Sequence, residues 1–238
     1  MIVTKETMYN SIPTWAKGLT LAARVNAKVT PLASGDPKLD SMLGGGLVLG
    51  QPHEILPKRS GWDDASVTAF TLAWLQRRQQ TDQRLALWVM QRPSLYPQGL
   101  ANLSIDFDRL VLVEAPKDID ALWTLEQGLF NSAFGLVIGE IENFDLLGSR
   151  RLQLAAERHN PLILILRRSQ RGLSLKEVPN SALTRWLISP SSAQGASHHN
   201  NFHWQTNLTR NKAGTTGNFL MKWHHETHRF TLATPLHH

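Results

Sequence analysis

The stretch from Ser34 to Asp64 constrains the fold of this chain more than any other part of the sequence. Within it, residues 53–56 (HEIL) predict a buried strand, and residues 63–80 predict an amphipathic helix. Only a short loop separates these two elements. Nucleoside-triphosphatases bind phosphate where a strand enters a helix through a tight loop, so this loop is the first candidate site.

The loop has the frame of a phosphate cradle but lacks its chemistry. A cradle needs glycines whose backbone N–H groups face the anion, then a Lys, then Ser or Thr. Depending on the alignment, Asp63 or Trp62 stands at the Lys position, and a carboxylate there repels a triphosphate. We therefore predict a degenerate nucleotide loop, without productive ATP binding, that consists of Pro57, Lys58, Arg59, Ser60, Gly61, Trp62 and Asp63.

Two further expectations concern the same loop. Lys58 and Arg59 can reach phosphates from its other arm, which leaves open an ATPase whose catalytic groups are displaced. Trp62 offers a large apolar side chain, and we expect it to plug the vacant phosphate pocket.

Apolar runs alternate with amphipathic stretches along the rest of the chain. They predict strands at residues 85–90, 110–113, 135–140 and 161–166, and helices at residues 118–131 and 145–159. Such alternation is typical of an α/β fold with a mainly parallel sheet flanked by helices. We assign Phe130, Leu147 and Leu154 to the core side of these helices. Further strands at residues 184–189, 202–209, 219–224 and 229–232 end in a C-terminal antiparallel meander.

The chain divides into three predicted parts. Residues 1–33 hold a helix and a short strand that either pack on another subunit as an oligomerisation arm or cap their own core. Residues 34–190 form the α/β core, and residues 191–238 form a basic, His-rich β extension.

Positive charge is concentrated in the second half of the chain. Residues 1–146 contain 13 Lys or Arg and 16 Asp or Glu, whereas residues 147–238 contain 12 and 3. Clustered basic charge is typical of a nucleic-acid or acidic-protein partner, and the plain alternative is a solvated face. The candidate DNA contacts, through phosphates and without base readout, are Arg150, Arg151, Arg167, Arg168, Arg171, Arg210 and Lys212.

Metal and membrane chemistry find little support in the sequence. The chain has no cysteine, so it can form neither a disulfide framework nor a thiolate metal site. Histidines cluster late, at positions such as 199, 203, 224, 225 and 228, but Glu226 is the one acid near them, and we predict no metal site. No apolar run approaches the length of a membrane span and no signal peptide is visible, so we expect no membrane partner and a cytoplasmic location.

In their order, these segments resemble the core of RecA-type recombinases, and within that superfamily they resemble the ImuA branch most. The resemblance rests on the HEIL strand, the absent Lys, the SRRLQLAAE helix and the TRW strand at residues 184–186, and it runs from about Ser34 to Trp223. It implies that the water-activating carboxylate is missing, because Met90, Gln91 and Arg92 stand at its position. It also implies that Glu140 occupies the degenerate Walker B position, where it either holds a metal or pairs with a nearby Arg.

The resemblance also implies a function. ImuA is the RecA-related accessory protein of the bacterial SOS mutagenesis complex (the mutasome). We therefore expect a non-catalytic protein of DNA-damage-induced translesion synthesis that needs no cofactor. Its expected partners are an ImuB-like Y-family protein and an error-prone polymerase, with RecA and DNA as further candidates. The alternative is an inhibitor of the division protein FtsZ, like the smaller relative SulA.

A mode of assembly follows from the same resemblance. In RecA filaments, each core accepts the N-terminal helix and strand of its neighbour, a contact that does not need ATP. We expect self-association of the isolated chain, with a donor at residues 15–33. The expected acceptor is the sheet around residues 110–113 and 135–138.

Overall fold

The computed structural model describes residues 31–93, 95, 103–168, 178–191 and 201–233. Several predicted features lie outside these ranges. They are residues 1–30 of the N-terminal arm, the candidate DNA contact Arg171, and His199.

Four helices and nine strands make up the described part of the chain. The helices are α1 (Pro37–Met42), α2 (Asp64–Thr81), α3 (Asp118–Phe130) and α4 (Leu146–Ala156), and a 3-10 turn spans Phe107–Arg109. The first six strands are β1 (Pro52–Pro57), β2 (Leu85–Met90), β3 (Leu110–Glu114), β4 (Phe134–Glu140), β5 (Leu162–Leu166) and β6 (Thr184–Pro190). The last three are β7 (Asn201–Asn211), β8 (Gly217–His224) and β9 (Arg229–Ala233).

All nine strands belong to one sheet, in the order β3-β2-β4-β5-β1-β6-β7-β8-β9. The pairs from β3 to β6 are parallel, and those from β6 to β9 are antiparallel. The predicted fold class, a RecA-like core with a mainly parallel sheet and a C-terminal meander, is therefore confirmed. No helix in the described ranges is long and apolar enough to cross a membrane.

Helices cover both faces of the parallel part of the sheet, so its inner strands β1, β4 and β5 are buried on both sides, whereas the edge strand β3 is not. On one face, α3 and α4 contribute Leu125, Leu129 and Leu152 to a cluster with residues of β2, β4 and β5. On the other face, α2 lies against an aromatic cluster that includes residues of the meander. The rings of Trp74 and Phe230 are 4.6 Å apart between centroids, so the C-terminal strands share the main core.

The two edges of the sheet differ. At the β9 edge, Phe230 N–H donates to the Ser34 carbonyl at 3.2 Å and Leu232 N–H donates to Asp36 Oδ2 at 2.9 Å. At the β3 edge, the side chains of Val111 and Leu112 are exposed. Both parts of the predicted acceptor region belong to this sheet: residues 110–113 lie in the edge strand β3, whereas residues 135–138 lie in β4, between β2 and β5.

Candidate functional site

Most of the predicted nucleotide-site residues lie together at the carboxyl ends of the parallel strands, not at the lateral edges formed by β3 and β9. Strand β1 ends at Pro57 and leads into the loop before α2, while β4 ends at Glu140 and β5 is followed by Arg167 and Arg168. In open α/β sheets, ligands bind at the carboxyl ends of the strands. The contacts made here decide what the site can hold.

An internal carboxylate occupies the loop. Asp63 Oδ2 accepts from the backbone N–H of Arg59 at 3.0 Å and from its Nε at 3.2 Å, and Nη2 of Arg59 donates to Oδ1 at 2.8 Å. Asp63 is buried and lies directly before α2, where the helix dipole favours negative charge. The hydrogen bond from Arg59 to Asp63, with the attraction between their charges, raises the pKa of Arg59. The carboxylate therefore takes the kind of hydrogen bonds that a bound phosphate takes in an active loop.

The expectation for Trp62 was wrong. Its side chain is 63% exposed and does not fill a phosphate pocket. The physical reason is that the buried Asp63 carboxylate, paired with Arg59, takes the place inside the loop that a phosphate would need. Arg59 is also committed to that carboxylate, so Lys58, which is exposed, is the loop cation without an acidic partner among the described residues.

Glu140 takes part in an ion pair, as one of its two predicted readings required. Its Oε1 accepts from the indole Nε1 of Trp88 at 3.3 Å and lies 3.4 Å from Nη1 of Arg168. Arg168 also donates from Nη2 to Thr68 Oγ1 at 2.6 Å, so its guanidinium faces the protein interior. Within the described ranges, no three His, Asp or Glu side chains come close enough to hold a metal ion.

Arg167 was wrongly predicted as a DNA contact. It is 1% exposed, and Nη1 lies 3.2 Å from Glu54 Oε1 while Nε and Nη2 donate to the Glu142 carbonyl. Glu54 also accepts from Arg185 Nε at 2.6 Å. The sequence reasoning missed this buried network. Its signals were a Glu inside the apolar HEIL strand and an Arg directly after the apolar strand β5.

The other candidate DNA contacts differ in their exposure and in their partners. On α4, Arg150 is exposed, whereas Arg151 pairs with Glu126 on α3. Arg210 donates to Asn180 Oδ1 at 2.7 Å, and Lys212 donates to the Ser181 carbonyl at 3.0 Å. Burial and the charge of Arg210 lower the pKa of Lys212.

A second candidate site lies on α3 and α4. Three exposed side chains on α3 and three on α4 form what we call the apolar helix face: Ile119, Trp123, Phe130, Leu146, Leu147 and Leu154. The two helices are adjacent, because Arg151 of α4 pairs with Glu126 of α3. Trp123 is 59% exposed and Leu147 is 71% exposed.

This face corrects the core assignment of Phe130, Leu147 and Leu154. Helix α3 buries Ala121, Leu125 and Leu129 on one side and is also apolar on the other. A helix that is apolar on both sides is typical of a buried environment, and exposed apolar patches mark interaction sites. The apolar helix face is therefore a candidate surface for another protein.

Comparison with known proteins agrees with the sequence resemblance. No family model matches the chain. Two curated relatives, each named protein ImuA and each from a strain of Caulobacter vibrioides, are 28% identical to it over 223 residues. The match covers 87% of this chain and 91% of either relative. The predicted resemblance is confirmed: the chain is ImuA-like along most of its length.

Proposed function

We propose that this ImuA-like chain is a non-catalytic accessory protein of DNA-damage-induced translesion synthesis, and that it acts by binding other proteins. The observation that carries the proposal is the apolar helix face, which accompanies an edge strand, β3, that pairs only with β2 among the described residues. A RecA-like core without a working nucleotide loop still offers these two surfaces to another chain.

The loop supports the non-catalytic part of the proposal. A nucleotide entering it would have to displace the Asp63 carboxylate from Arg59 and leave that carboxylate buried without its partner. Its negative charge would also repel the incoming phosphates. The loss of both interactions opposes binding, so we propose that the protein works without ATP or another cofactor. An ATPase with displaced groups would rely on Lys58 alone from this loop.

The partner we propose is an ImuB-like Y-family protein, through which the chain joins an error-prone polymerase. An extended segment can add to a free sheet edge while an amphipathic helix covers apolar side chains beside it. Of the two sheet edges, β9 is already bonded to residues 34 and 36, which leaves β3 for addition. When this partner is absent, a second copy of the chain or RecA would bind the same two surfaces.

The proposal includes DNA binding, but with fewer contact residues than the sequence predicted. Arg167 is buried and Arg168 faces Glu140, so neither is placed to contact a phosphate backbone. Arg150, Arg210 and Lys212 remain among the described candidates, and Arg171 remains by sequence. We expect any such contact to weaken steeply with salt, because released counterions drive it.

Co-purification with an ImuB-like protein tests the proposal. The double variant Trp123→Lys/Leu147→Lys should lose the complex, because two buried cations would replace two apolar anchors at the interface. The matched control is Thr216→Lys/Asn218→Lys, which adds the same two charges at exposed positions around the start of β8, outside the apolar helix face. Equal recovery of the partner by all three proteins would contradict the proposal, provided that circular dichroism shows each variant folded.

A further inference from the structure

A cavity of about 550 Å³ lies at the amino-terminal edge of the parallel strands, opposite the degenerate loop. Its lining comes from the segments that precede β1, β2 and β5 and from the end of α2. The polar lining residues are Arg77, Arg78, Thr81, Arg84, His159 and Asn160. Nothing in the proposed function uses this cavity.

The side chains that line the cavity carry more positive charge than the neighbouring carboxylate neutralises. Three guanidinium groups, those of Arg77, Arg78 and Arg84, line it. Arg78 and Arg84 share the carboxylate of Asp82, with Arg84 Nη2 at 2.7 Å from Oδ2. Arg77 forms no ion pair with any acid of the described ranges, although the charge of Asp40 acts on it. Two positive charges are therefore left over.

Arg77 is the side chain whose hydrogen-bond donors are only partly used by the described residues. Its Nε donates to the Ala33 carbonyl at 2.9 Å, which fixes the guanidinium at the cavity wall. Its Nη1 and Nη2 make no hydrogen bond to the part of the chain that the structure describes. Arg78, by contrast, also donates to the Gly135 carbonyl and so links α2 to β4, and Arg84 donates to the His159 carbonyl.

The surroundings oppose the charge on Arg77. Partial burial and the neighbouring Arg229 guanidinium lower its pKa, and burial also lowers the pKa of Arg78. A neutral donor could hold the Ala33 carbonyl without this electrostatic cost. A bound anion would reverse it, because an opposite charge favours the ionised form.

We propose that this cavity binds a phosphate group, held by the free edge of the Arg77 guanidinium. The planar fork of an Arg matches two phosphate oxygens, and Asn160 and His159 offer further polar contacts at the wall. The volume is within the range of small-ligand pockets, so the phosphate belongs either to a free phosphorylated molecule or to a nucleic-acid backbone.

Calorimetric titration of the full chain at low ionic strength tests this inference. The probes are inorganic pyrophosphate and a short oligothymidylate, and at least one of them should bind. Arg77→Gln should weaken that binding at least about tenfold, because a bidentate charged contact is lost. Thr81→Glu, which places a carboxylate on the exposed cavity rim without removing an Arg, should weaken it as well. Arg92→Gln, an exposed Arg at the other end of the strands, is the matched control.

The two probes separate the sources of the phosphate. Binding of pyrophosphate that depends on Arg77 supports a small-molecule ligand, and Arg77-dependent binding of the oligonucleotide alone supports a nucleic-acid backbone. The inference is overturned if neither probe binds at millimolar concentration. It is also overturned if Arg77→Gln and Thr81→Glu bind as the unmodified chain does.

Discussion

At the scale of single residues, the two carboxylates of Asp63 and Glu54 each hold Arg side chains in ion pairs. Asp63 neutralises Arg59 in the loop, and Glu54 lies between Arg167 and Arg185 beneath the same edge of the sheet. The partners of Glu54 are 113 and 131 residues away along the chain. The local signals therefore marked Glu54 and Arg167 as unusual but could not pair them with each other, whereas the loss of the P-loop Lys could be read directly from the loop.

Replacing Glu54 with Gln should destabilise the fold strongly. The change leaves two buried guanidinium groups without their carboxylate, and breaking a buried pair in this way costs about 3–5 kcal/mol. Urea denaturation followed by circular dichroism measures the difference. The control is Glu126→Gln, which removes a partly exposed ion pair with Arg151 and should cost about 1 kcal/mol or less. Equal effects of the two changes would contradict the role given to Glu54.

His53 should make stability depend on pH. It is buried, with Nδ1 2.8 Å from Thr184 Oγ1 and Nε2 2.9 Å from the Val48 carbonyl, and burial lowers its pKa to about 4. The unfolded chain, with a pKa near 6.5, binds this proton more strongly. Stability should therefore be complete above pH 6.5 and fall by about 2–3 kcal/mol as the pH drops to 4.5.

Urea denaturation at pH 7 and pH 4.5 measures this loss. His203, His224, His225 and His228 also have lowered pKa values through partial burial, so they should add to the effect. A His53→Gln variant should lose less stability than the unmodified chain over the same interval. If both lose equal amounts, the proton in question binds elsewhere.

At the scale of elements, continuous apolar runs were the most reliable guide. Strand β2 was predicted with its observed ends, because LALWVM is buried along nearly its whole length. The faces of the helices were harder. Phe130, Leu147 and Leu154 are apolar and recur at helical spacing, but periodicity does not distinguish a side chain facing the core from one awaiting another protein. At Gly46, which has a φ of 132°, a Cβ would lie 2.3 Å from the Leu32 carbonyl oxygen, so the backbone before β1 requires glycine there.

Removal of residues 1–30 should separate self-association from partner binding. If these residues are the donor in self-association, the truncated chain should be monomeric by light scattering. It should still capture the ImuB-like partner, because the β3 edge and the apolar helix face remain. A strict monomer both with and without residues 1–30 would contradict the donor role. Loss of the partner upon truncation would instead place the partner's site on the arm.

At the scale of the whole molecule, one sheet joins a RecA-like half to an antiparallel half. The sequence boundary near residue 190 falls between β6 and β7, which pair with each other, so the basic extension shares its core with the rest. The fold class could be predicted because strands and helices alternate over most of the chain. The grouping of basic residues could not, because it depends on which strand ends meet.

The most direct test is the affinity for an ImuB-like protein, measured by calorimetric titration with and without ATP and Mg²⁺. If the core binds proteins rather than nucleotide, the dissociation constant should be the same in both conditions. ATP alone should give no binding heat below about 1 mM, where only about 4 kcal/mol of binding free energy is available. Micromolar ATP binding, or a partner affinity that ATP changes severalfold, would contradict the central claim.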